Sequence, residues 1–379
     1  MAFRRSRQPC AKTFLSLLVC KQTPILKKNY LLFAILSLSF SLFAQQETDE
    51  KKEEKKVKFA VIPLPTYSEP FGFGLGLMTN AYYRLNGADT ISPKSSTSLF
   101  GYFTENKTWI GMVRQNLYWG KDKNRVMVMY ARGDIKSQTY FDFLPSGFTQ
   151  YTSNFSFVYA DYMRNWAGKL YLGPAIIFSK MSTEFPDIPI PTPLETKRNF
   201  NAAGVRSQWD SRESIFYPVQ GINSELRVMY YAPFMGSEVE FSNVTFSIST
   251  YQKLAKKMVL AINGQAQLAV GDNVPFEQQN VVGGRVLRGY TNGKYRDNQV
   301  YCLQTEYRYN FWKRFGAVGF VGAAWAGPDI SNLSENGILP AAGVGLRWNM
   351  IEKDHINIGI DYAWGKADGG FYFRITEAF

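Results

Sequence analysis

One pattern recurs along most of the chain: apolar and polar residues alternate over runs of about eight or nine residues. Side chains of an extended strand point alternately to opposite faces of a sheet, so a period of two predicts β-strands. No stretch of comparable length combines a helical period with helix caps, which indicates an all-β body. The clearest runs are Ser153–Ala160, Asn243–Tyr251, Leu260–Leu268, Tyr301–Tyr309 and His355–Ala363, and the pattern continues to the terminal Phe379.

Two all-β architectures fit these runs, a soluble sandwich and a membrane barrel. The polar faces carry glutamines, arginines, acids and glycines, while aromatic residues, 16% of the chain, gather at the ends of the apolar runs. A barrel with lipid outside, a polar water-filled lumen and aromatic girdles produces this pattern. We therefore predict a transmembrane antiparallel β-barrel, closed so that every backbone group is paired within the lipid.

The barrel prediction also sets a strand number and a direction for each face. Residues 59–379, at roughly 20 residues per strand and its share of loop, give about 16 strands. In Ser153–Ala160 the apolar face holds Phe155, Phe157 and Tyr159, and the polar face holds Asn154 and Ser156. We expect the apolar face to meet lipid and the polar face to line the lumen.

The first residues have the composition of an export signal. Lys27 and Lys28 precede the apolar run Tyr30–Phe43, and the small residue Ala44 follows, so we predict a signal peptide, longer than usual, over residues 1–44. Residues 45–58 are rich in acids and lysines and are predicted to form a charged flexible tail, with the barrel over 59–379. The expected location is the bacterial outer membrane, in contact with lipid bilayer and lipopolysaccharide.

Charge and residue types exclude several classes of function. The formal charge is +12, and the seven Lys and Arg residues of positions 1–44 account for all but +5 of it, so no nucleic-acid partner is predicted. The chain has a single histidine, His355, and lacks the G-x-S-x-G motif of esterases. It also lacks clustered Cys and His residues of the kind that bind metals. We therefore expect no enzymatic activity, no cofactor and no metal site.

A loop with unusual composition lies between two alternating runs, at Gln279–Gly293. Its centre holds Gly283, Gly284, Arg288, Gly289 and Tyr290, so a cation stands among aliphatic and aromatic neighbours with glycines that let the backbone fold closely. This composition predicts a loop that folds inward, into the lumen. An arginine there needs a carboxylate partner, because an unpaired buried cation is costly, and Asp361 and Glu306 both fit that role.

Other polar residues share the predicted lumen faces. A hydrated channel wall of mixed charge accounts for most of them without a specific role. They are Arg206, Gln208, Asp210, Gln265, Gln267, Glu306, Arg308, Arg347, Asp361 and Arg374.

Three motifs resemble those of the BamA/TamA-like outer-membrane superfamily, the bacterial surface antigen barrels. The loop sequence Leu287-Arg288-Gly289-Tyr290, after Gly283-Gly284, resembles the family's inward loop. Asp210 and Arg212, with Pro218 and Gly221, resemble its D-x-R-D…P-x-x-G hairpin. Ala342–Arg347, Ile360–Ala363 and Phe379 resemble its closing strands and barrel-closing terminus. The resemblance implies that Arg288 pairs with Asp361 in the lumen.

The chain departs from that family in two ways. Gly322 stands where the family often has an acid, and the family's assembly and secretion members carry periplasmic POTRA domains before the barrel, which predicts a POTRA-less member here. The resemblance implies a role in inserting or translocating outer-membrane proteins or lipids, with nascent outer-membrane proteins as clients or a separate periplasmic partner. The alternative is a passive pore or structural barrel without assembly activity.

Overall fold

The structure is a computed structural model in which residues 57–68, 72–140, 147–186, 196–284, 286–291, 293–332, 337–352, 355–366 and 368–379 are described. The predicted signal peptide, residues 1–44, and most of the predicted tail lie outside the described residues. The first strand begins at Val57, two residues before the predicted start of the barrel. It begins there because Val57 and Lys58 pair with Tyr83 and Tyr82 of the second strand.

Sixteen strands form one sheet in which each strand pairs antiparallel with its neighbours in chain order. The predicted strand number and fold class are therefore confirmed. The sheet runs through β1 (Val57–Ser68), β2 (Gly72–Tyr83), β3 (Ser95–Thr104), β4 (Trp109–Trp119), β5 (Asn124–Tyr140), β6 (Phe148–Ala167), β7 (Leu170–Glu184), β8 (Thr196–Asp210), β9 (Gly221–Tyr231), β10 (Phe241–Ala255), β11 (Met258–Val270), β14 (Gln299–Trp312), β15 (Phe315–Gly327), β16 (Leu339–Ile351), β17 (Ile356–Gly365) and β18 (Asp368–Ile375).

The connection between β11 and β14 contains two more strands, β12 (Asn280–Val282) and β13 (Tyr295–Asp297), which pair only with each other. Short 3-10 turns lie at Pro233–Met235, Phe276–Gln278 and Ile330–Asn332. Among the described residues, no helix has the length and apolar character needed to cross a membrane.

The two ends of the barrel differ in the length of their connections. Because the strand number is even, both chain termini lie at one end, where tight turns such as 168–169, 256–257 and 313–314 join the strands. The long connection 271–298 lies at the other end. Outer-membrane barrels place short turns in the periplasm and long loops outside the cell, so the end opposite the termini is the outer end.

Side chains alternate between the two faces of the sheet as the period of two requires. On β7, for example, Leu172, Ile176 and Phe178 are exposed on the outside, whereas Tyr171 and Ala175 are buried on the inside. The outward apolar side chains form the surface that meets the lipid.

The lumen is less polar than predicted, and β6 explains part of the difference. Phe157 and Tyr159 point inward and belong to an apolar cluster with Phe200, Met229 and Phe241, so the predicted directions of the β6 faces are reversed. Val239 and Val274, from the outer connections, pack against the same cluster. Inward loops therefore replace water over this part of the barrel, and an apolar inner face is the result.

The barrel closes at a seam between its first and last strands. β1 and β18 lie side by side, yet within the described residues no ladder of backbone hydrogen bonds joins them, whereas all fifteen other neighbouring pairs of the sheet have one. β18 has 8 residues and β1 has 12, so their edges also differ in length. The predicted closure through continuous backbone pairing is therefore not what the structure has.

Candidate functional site: a loop held inside the barrel

The candidate site is the tip of the β12–β13 hairpin, which turns from the outer end into the lumen. The backbone N–H groups of Val286 and Leu287 both donate to the Gly283 carbonyl at 2.8 Å, which makes a tight turn at the tip. Gly289 has φ +104° and Gly293 has φ +100°, backbone angles that strongly favour glycine. The glycine-rich sequence thus allows the sharp turns that bring Arg288 to the barrel wall.

Arg288 is almost fully buried and contacts both candidate acids. Its Nη1 donates to Asp361 Oδ2 at 2.7 Å, and its Nη2 lies 2.9 Å from Glu306 Oε2. The second contact is a charge pair whose angle does not meet the geometry of a hydrogen bond. The guanidinium also lies 3.4 Å from the centre of the Phe320 ring, a cation–π stack. The loop cation is therefore fixed from three sides by β14, β15 and β17.

Glycines on the wall create the space for these charged groups. A side chain at Gly359 would meet Arg347 Cδ at 2.9 Å, and a side chain at Gly345 would meet the carboxylate carbon of Asp361 at 2.9 Å. Arg347 donates to Asp361 Oδ1, and Arg374 Nε donates to Asp361 Oδ2 at 2.9 Å. Asp361 thus accepts from three arginines, which is possible because its neighbours lack side chains.

The cluster extends toward the termini through Arg308 and Glu377. Arg308 Nε donates to Glu306 Oε1 at 2.8 Å, and Arg347 Nε donates to Glu377 Oε2 at 2.9 Å. Asn357 Nδ2 holds the other oxygen of Glu377 at 2.7 Å. Within the described residues this makes a connected group of four arginines and three carboxylates. Buried charges of this kind are tolerated only when they are paired and hydrogen-bonded, as nearly all of them are here.

Arg308 also connects the predicted D-x-R-D…P-x-x-G hairpin, between β8 and β9, to the C-terminal Phe379. Its Nη1 donates to the Pro218 carbonyl at 3.3 Å, and its Nη2 donates to the main-chain oxygen of Phe379 at 2.9 Å. Phe379 was predicted in the closing strands, but β18 ends at Ile375. Thr376 then has φ +71°, which ends the extended conformation and turns the last residues inward.

The hairpin residues hold the β8–β9 turn in shape. Arg212 forms a two-pronged pair with Asp210, with Nε–Oδ1 and Nη2–Oδ2 distances of 3.0 Å each. Gly221 has φ +103°, and a side chain there would lie 2.5 Å from the Ser211 carbonyl oxygen. The motif therefore shapes a turn, and through Pro218 that turn reaches the same Arg308 that holds Glu306.

The loop is also fastened beside Arg288. The Gly289 N–H donates to Tyr372 Oη at 2.8 Å, and the ring of Tyr372 covers Gly284. Tyr290 Oη donates to the Pro340 carbonyl at 2.6 Å, and Thr291 N–H donates to Asp368 Oδ2 at 2.7 Å. These bonds join the loop to β16 and β18 as well as to the Arg288 partners.

An apolar contact accompanies the polar ones. Val286, Leu287 and Tyr290 belong to a buried cluster with residues of β14, β15 and β16. Gly322 lies beneath this cluster, since a side chain there would meet Leu287 Cδ1 at 2.9 Å. The glycine that replaces the family's acid is therefore the position over which the loop packs.

Nearer the outer end, burial raises the pKa of the Glu277 carboxyl.

The structure thus brings together Arg288, Asp361, Glu306, Gly289 and Tyr290 in one place, with Gly283 and Gly284 in the turn above. Sequence reasoning did not assign roles to Phe320, Tyr372 or Glu377. Tyr372 had one signal that could have found it, because it alternates with Arg374 on the predicted lumen face. Among the described residues, no group of three or more His, Cys, Asp or Glu residues could hold a metal ion.

Comparison with protein-family models finds a match to the Omp85 superfamily domain over residues 130–379 of this chain. The chain belongs to the Omp85 superfamily. The matched region contains all three motifs on which the resemblance rested, so that prediction is confirmed. As an Omp85 barrel, the protein resides in the bacterial outer membrane in contact with lipid.

Solved Omp85 structures share the fold at low sequence identity. A BamA from Haemophilus ducreyi lacking POTRA domains 1–3 is 15% identical with a TM-score of 0.59, over 86% of this chain and 70% of that one. CdiB from Escherichia coli is 12% identical with a TM-score of 0.62, over 86% and 63%. CdiB from Acinetobacter baumannii is 14% identical with a TM-score of 0.58, over 85% and 60%.

This Omp85 chain therefore spans 60% to 70% of the length of these three proteins. A search of curated proteins finds no match to its sequence.

Proposed function

We propose that this Omp85 barrel inserts or translocates outer-membrane proteins or lipids at the seam between β1 and β18, without enzymatic chemistry. The observation that carries the proposal is that no backbone ladder joins the described residues of β1 and β18. A strand edge without a partner presents free N–H and C=O groups, and such an edge accepts an added strand. A nascent barrel strand is a client with the matching chemistry.

The loop gives the seam a fixed inner support in this proposal. Asp361 lies on β17 and Tyr372 on β18, and both bind the loop, at Arg288 and Gly289. β18 is thus held from the lumen side, where the loop replaces part of the restraint that a β1 ladder would supply. The seam can then open at its backbone edge while the side chains of β17 and β18 stay in position.

A crosslinking experiment tests the seam directly. A photoreactive amino acid is placed at Val61 on β1, at Phe373 on β18 and, as a matched control, at Val205 on β8. These three outward side chains are 50%, 51% and 50% exposed. With the full chain in bilayers and a radiolabelled nascent outer-membrane barrel as client, crosslinks are expected at Val61 and Phe373 and not at Val205. Equal yields at all three positions would contradict client binding at the seam.

A second experiment separates assembly from a passive pore. Liposomes containing the wild-type chain or the Arg288→Ala variant receive an unfolded client barrel, and protease protection measures its insertion. The Arg314→Ala variant serves as control, because Arg314 is an exposed cation far from the loop. Assembly predicts that Arg288→Ala slows insertion and that Arg314→Ala does not. If wild type inserts no client yet conducts ions, a separate periplasmic partner is added to the liposomes to test whether one is required. If there is still no insertion, the barrel is a passive pore.

A further inference from the structure

A second feature lies on the outside of the barrel, on the wall formed by β5–β8. Outward side chains there change from apolar to polar between two adjacent rows of paired residues. This border explains why Asn154 and Ser156 can point outward, since β6 continues past the apolar band toward the outer end. The last apolar row contains Tyr130, Val158 and Phe178, and the next row contains Arg132, Ser156 and Lys180.

Arg132 and Lys180 are therefore two cations at the outer edge of the lipid-facing surface. Neighbouring strands are about 4.8 Å apart, so the two residues lie about 10 Å apart with Ser156 between them. Both side chains are exposed. Within the described part of the chain neither has a carboxylate at ion-pair distance. Two unpaired cations at a lipid–water border call for an anionic partner.

The rest of this outer wall has the same sign of charge. Beyond the border, the outward positions of β5–β8 carry four cations and two acids, which leaves the wall positive. They are Arg132, Lys136, Lys180 and Lys197, against Asp134 and Glu184.

Next to Arg132 the surface is low and apolar. Arg132 pairs with Gly111, and Gly111 pairs with Gly101. A side chain at Gly101 would meet no atom within 4 Å, so these two glycines form an open shelf. Leu99 and Val113 border the shelf and are 52% and 44% exposed. Leu99, Val113 and Tyr130 form the row just below Arg132, and a cation above an apolar row matches a lipid whose phosphate sits above its acyl chains.

We propose that Arg132 and Lys180 bind the phosphorylated saccharide headgroup of lipopolysaccharide in the outer leaflet. The guanidinium and ammonium groups bind phosphate oxygens, and the Ser156 hydroxyl lies between them for a sugar hydroxyl. The acyl chains lie on the apolar row of Leu99, Val113, Tyr130 and Phe178, and the glycine shelf leaves room beside Arg132 for the headgroup. The wall is on the far side of the barrel from the β1–β18 seam, so this lipid site is independent of client assembly.

The test measures binding of fluorescent lipopolysaccharide to the purified full chain in detergent. The double variant R132S/K180S removes both cations, and K253S/K256S removes two exposed lysines at the opposite end as a matched control. The expected result is about 25-fold weaker binding for R132S/K180S, roughly fivefold for each surface cation, with the control unchanged. Dephosphorylated lipopolysaccharide is expected to bind wild type about as weakly.

Folding of every variant is checked by the heat-dependent shift in gel mobility, and the charge-preserving R132K/K180R variant is expected to keep most of the affinity. The proposal is overturned if R132S/K180S binds like wild type, if the control loses as much, or if the dephosphorylated lipid binds equally well. Competition by inorganic phosphate at millimolar concentration would show a free-phosphate site and overturn the assignment to a lipid.

Discussion

Within the part of the chain that the structure describes, two clusters in the lumen join one arginine to two or more carboxylates, and they differ in what they connect. In the wall cluster Arg206 binds Asp161 at 2.9 Å and Glu225 at 2.8 Å. In the loop cluster Arg288 binds Asp361 at 2.7 Å and Glu306 at 2.9 Å. The distances are nearly the same. The exposed side-chain fractions differ for the arginine and one of its acids: 13% for Arg206 and 29% for Glu225, against 2% for Arg288 and 0% for both of its acids, whereas Asp161 is also dry at 1%.

The difference in attachment matters more than the distances. The wall cluster joins β6, β8 and β9, which backbone ladders already hold in register. The loop cluster joins the β12–β13 hairpin to β14, β15 and β17. The hairpin strands pair with each other and not with the barrel sheet, so side-chain contacts supply most of the connection. The ion pairs of the wall cluster therefore add to a connection that backbone hydrogen bonds already make, whereas those of the loop cluster are needed to attach the hairpin to the wall.

Removing the central arginine of each cluster gives the largest expected contrast. Arg288→Ala removes the hydrogen bond to Asp361, the charge pair with Glu306 and the stack on Phe320 from a dry site, so we expect a loss of about 3–5 kcal/mol in the free energy of unfolding. Arg206→Ala is expected to lose less, about 2–3 kcal/mol, because Glu225 keeps contact with water although the buried Asp161 loses its arginine partner. Urea titrations of both variants in the same lipid vesicles measure the two losses, and equal values would remove the distinction between the clusters.

The backbone of the loop offers the next largest effect. Gly289 has φ +104°, and a side chain there would meet the Trp364 carbonyl carbon at 2.8 Å. Gly289→Ala is therefore expected to lose about 2–3 kcal/mol and to expose the loop to added protease. Gly319→Ala is the control, because a side chain at Gly319 would meet no atom within 4 Å, and it is expected to be near neutral. A protease-resistant Gly289→Ala loop would mean that the hairpin tip tolerates another path.

A single hydrogen bond tests how closely the loop depends on β18. Tyr372→Phe removes the acceptor of the Gly289 N–H and leaves that donor buried, at an expected cost of about 1–2 kcal/mol. Tyr301→Phe removes a hydroxyl that, among the described residues, donates to Gln299 alone, and little change is expected. Hydrogen exchange of the Gly289 amide, fast in Tyr372→Phe and slow in Tyr301→Phe, measures the effect. Slow exchange in both variants would show that the other loop contacts suffice.

These contrasts also show what the sequence can predict. Alternation predicts strands, and strand number follows from length because a strand and its share of loop average roughly 20 residues in such barrels. Arg288 could be predicted to need an acid because it stands alone among apolar neighbours in its loop. Both predicted acids turn out to contact it, since the planar guanidinium carries N–H donors on several of its edges.

The remaining partners depend on long-range register, which local periodicity does not contain. Phe320 meets Arg288 only because β15 pairs with β14 and β16 at one particular offset. On β6 the period of two was correct, but it does not say which face is outside. That choice depends on where the apolar band ends and on which loops fold inward, and neither is a property of Ser153–Ala160 alone.

Salt provides the smallest and most selective contrast between the clusters. At about 1 M salt the screening length falls to about 3 Å, which weakens pairs that touch water and spares dry ones. The cost of Arg206→Ala is therefore expected to fall by a few tenths of a kcal/mol between about 0.1 M and about 1 M sodium chloride, and the cost of Arg288→Ala to stay constant. Arg314→Ala, which breaks an exposed pair with Glu352, calibrates the response of a fully wet contact. If salt lowers the cost of Arg288→Ala as much as that of Arg206→Ala, water reaches the loop cluster. The ion pairs of the loop cluster would then stabilise the β12–β13 hairpin no more strongly than the ion pairs of the wall cluster stabilise their strands.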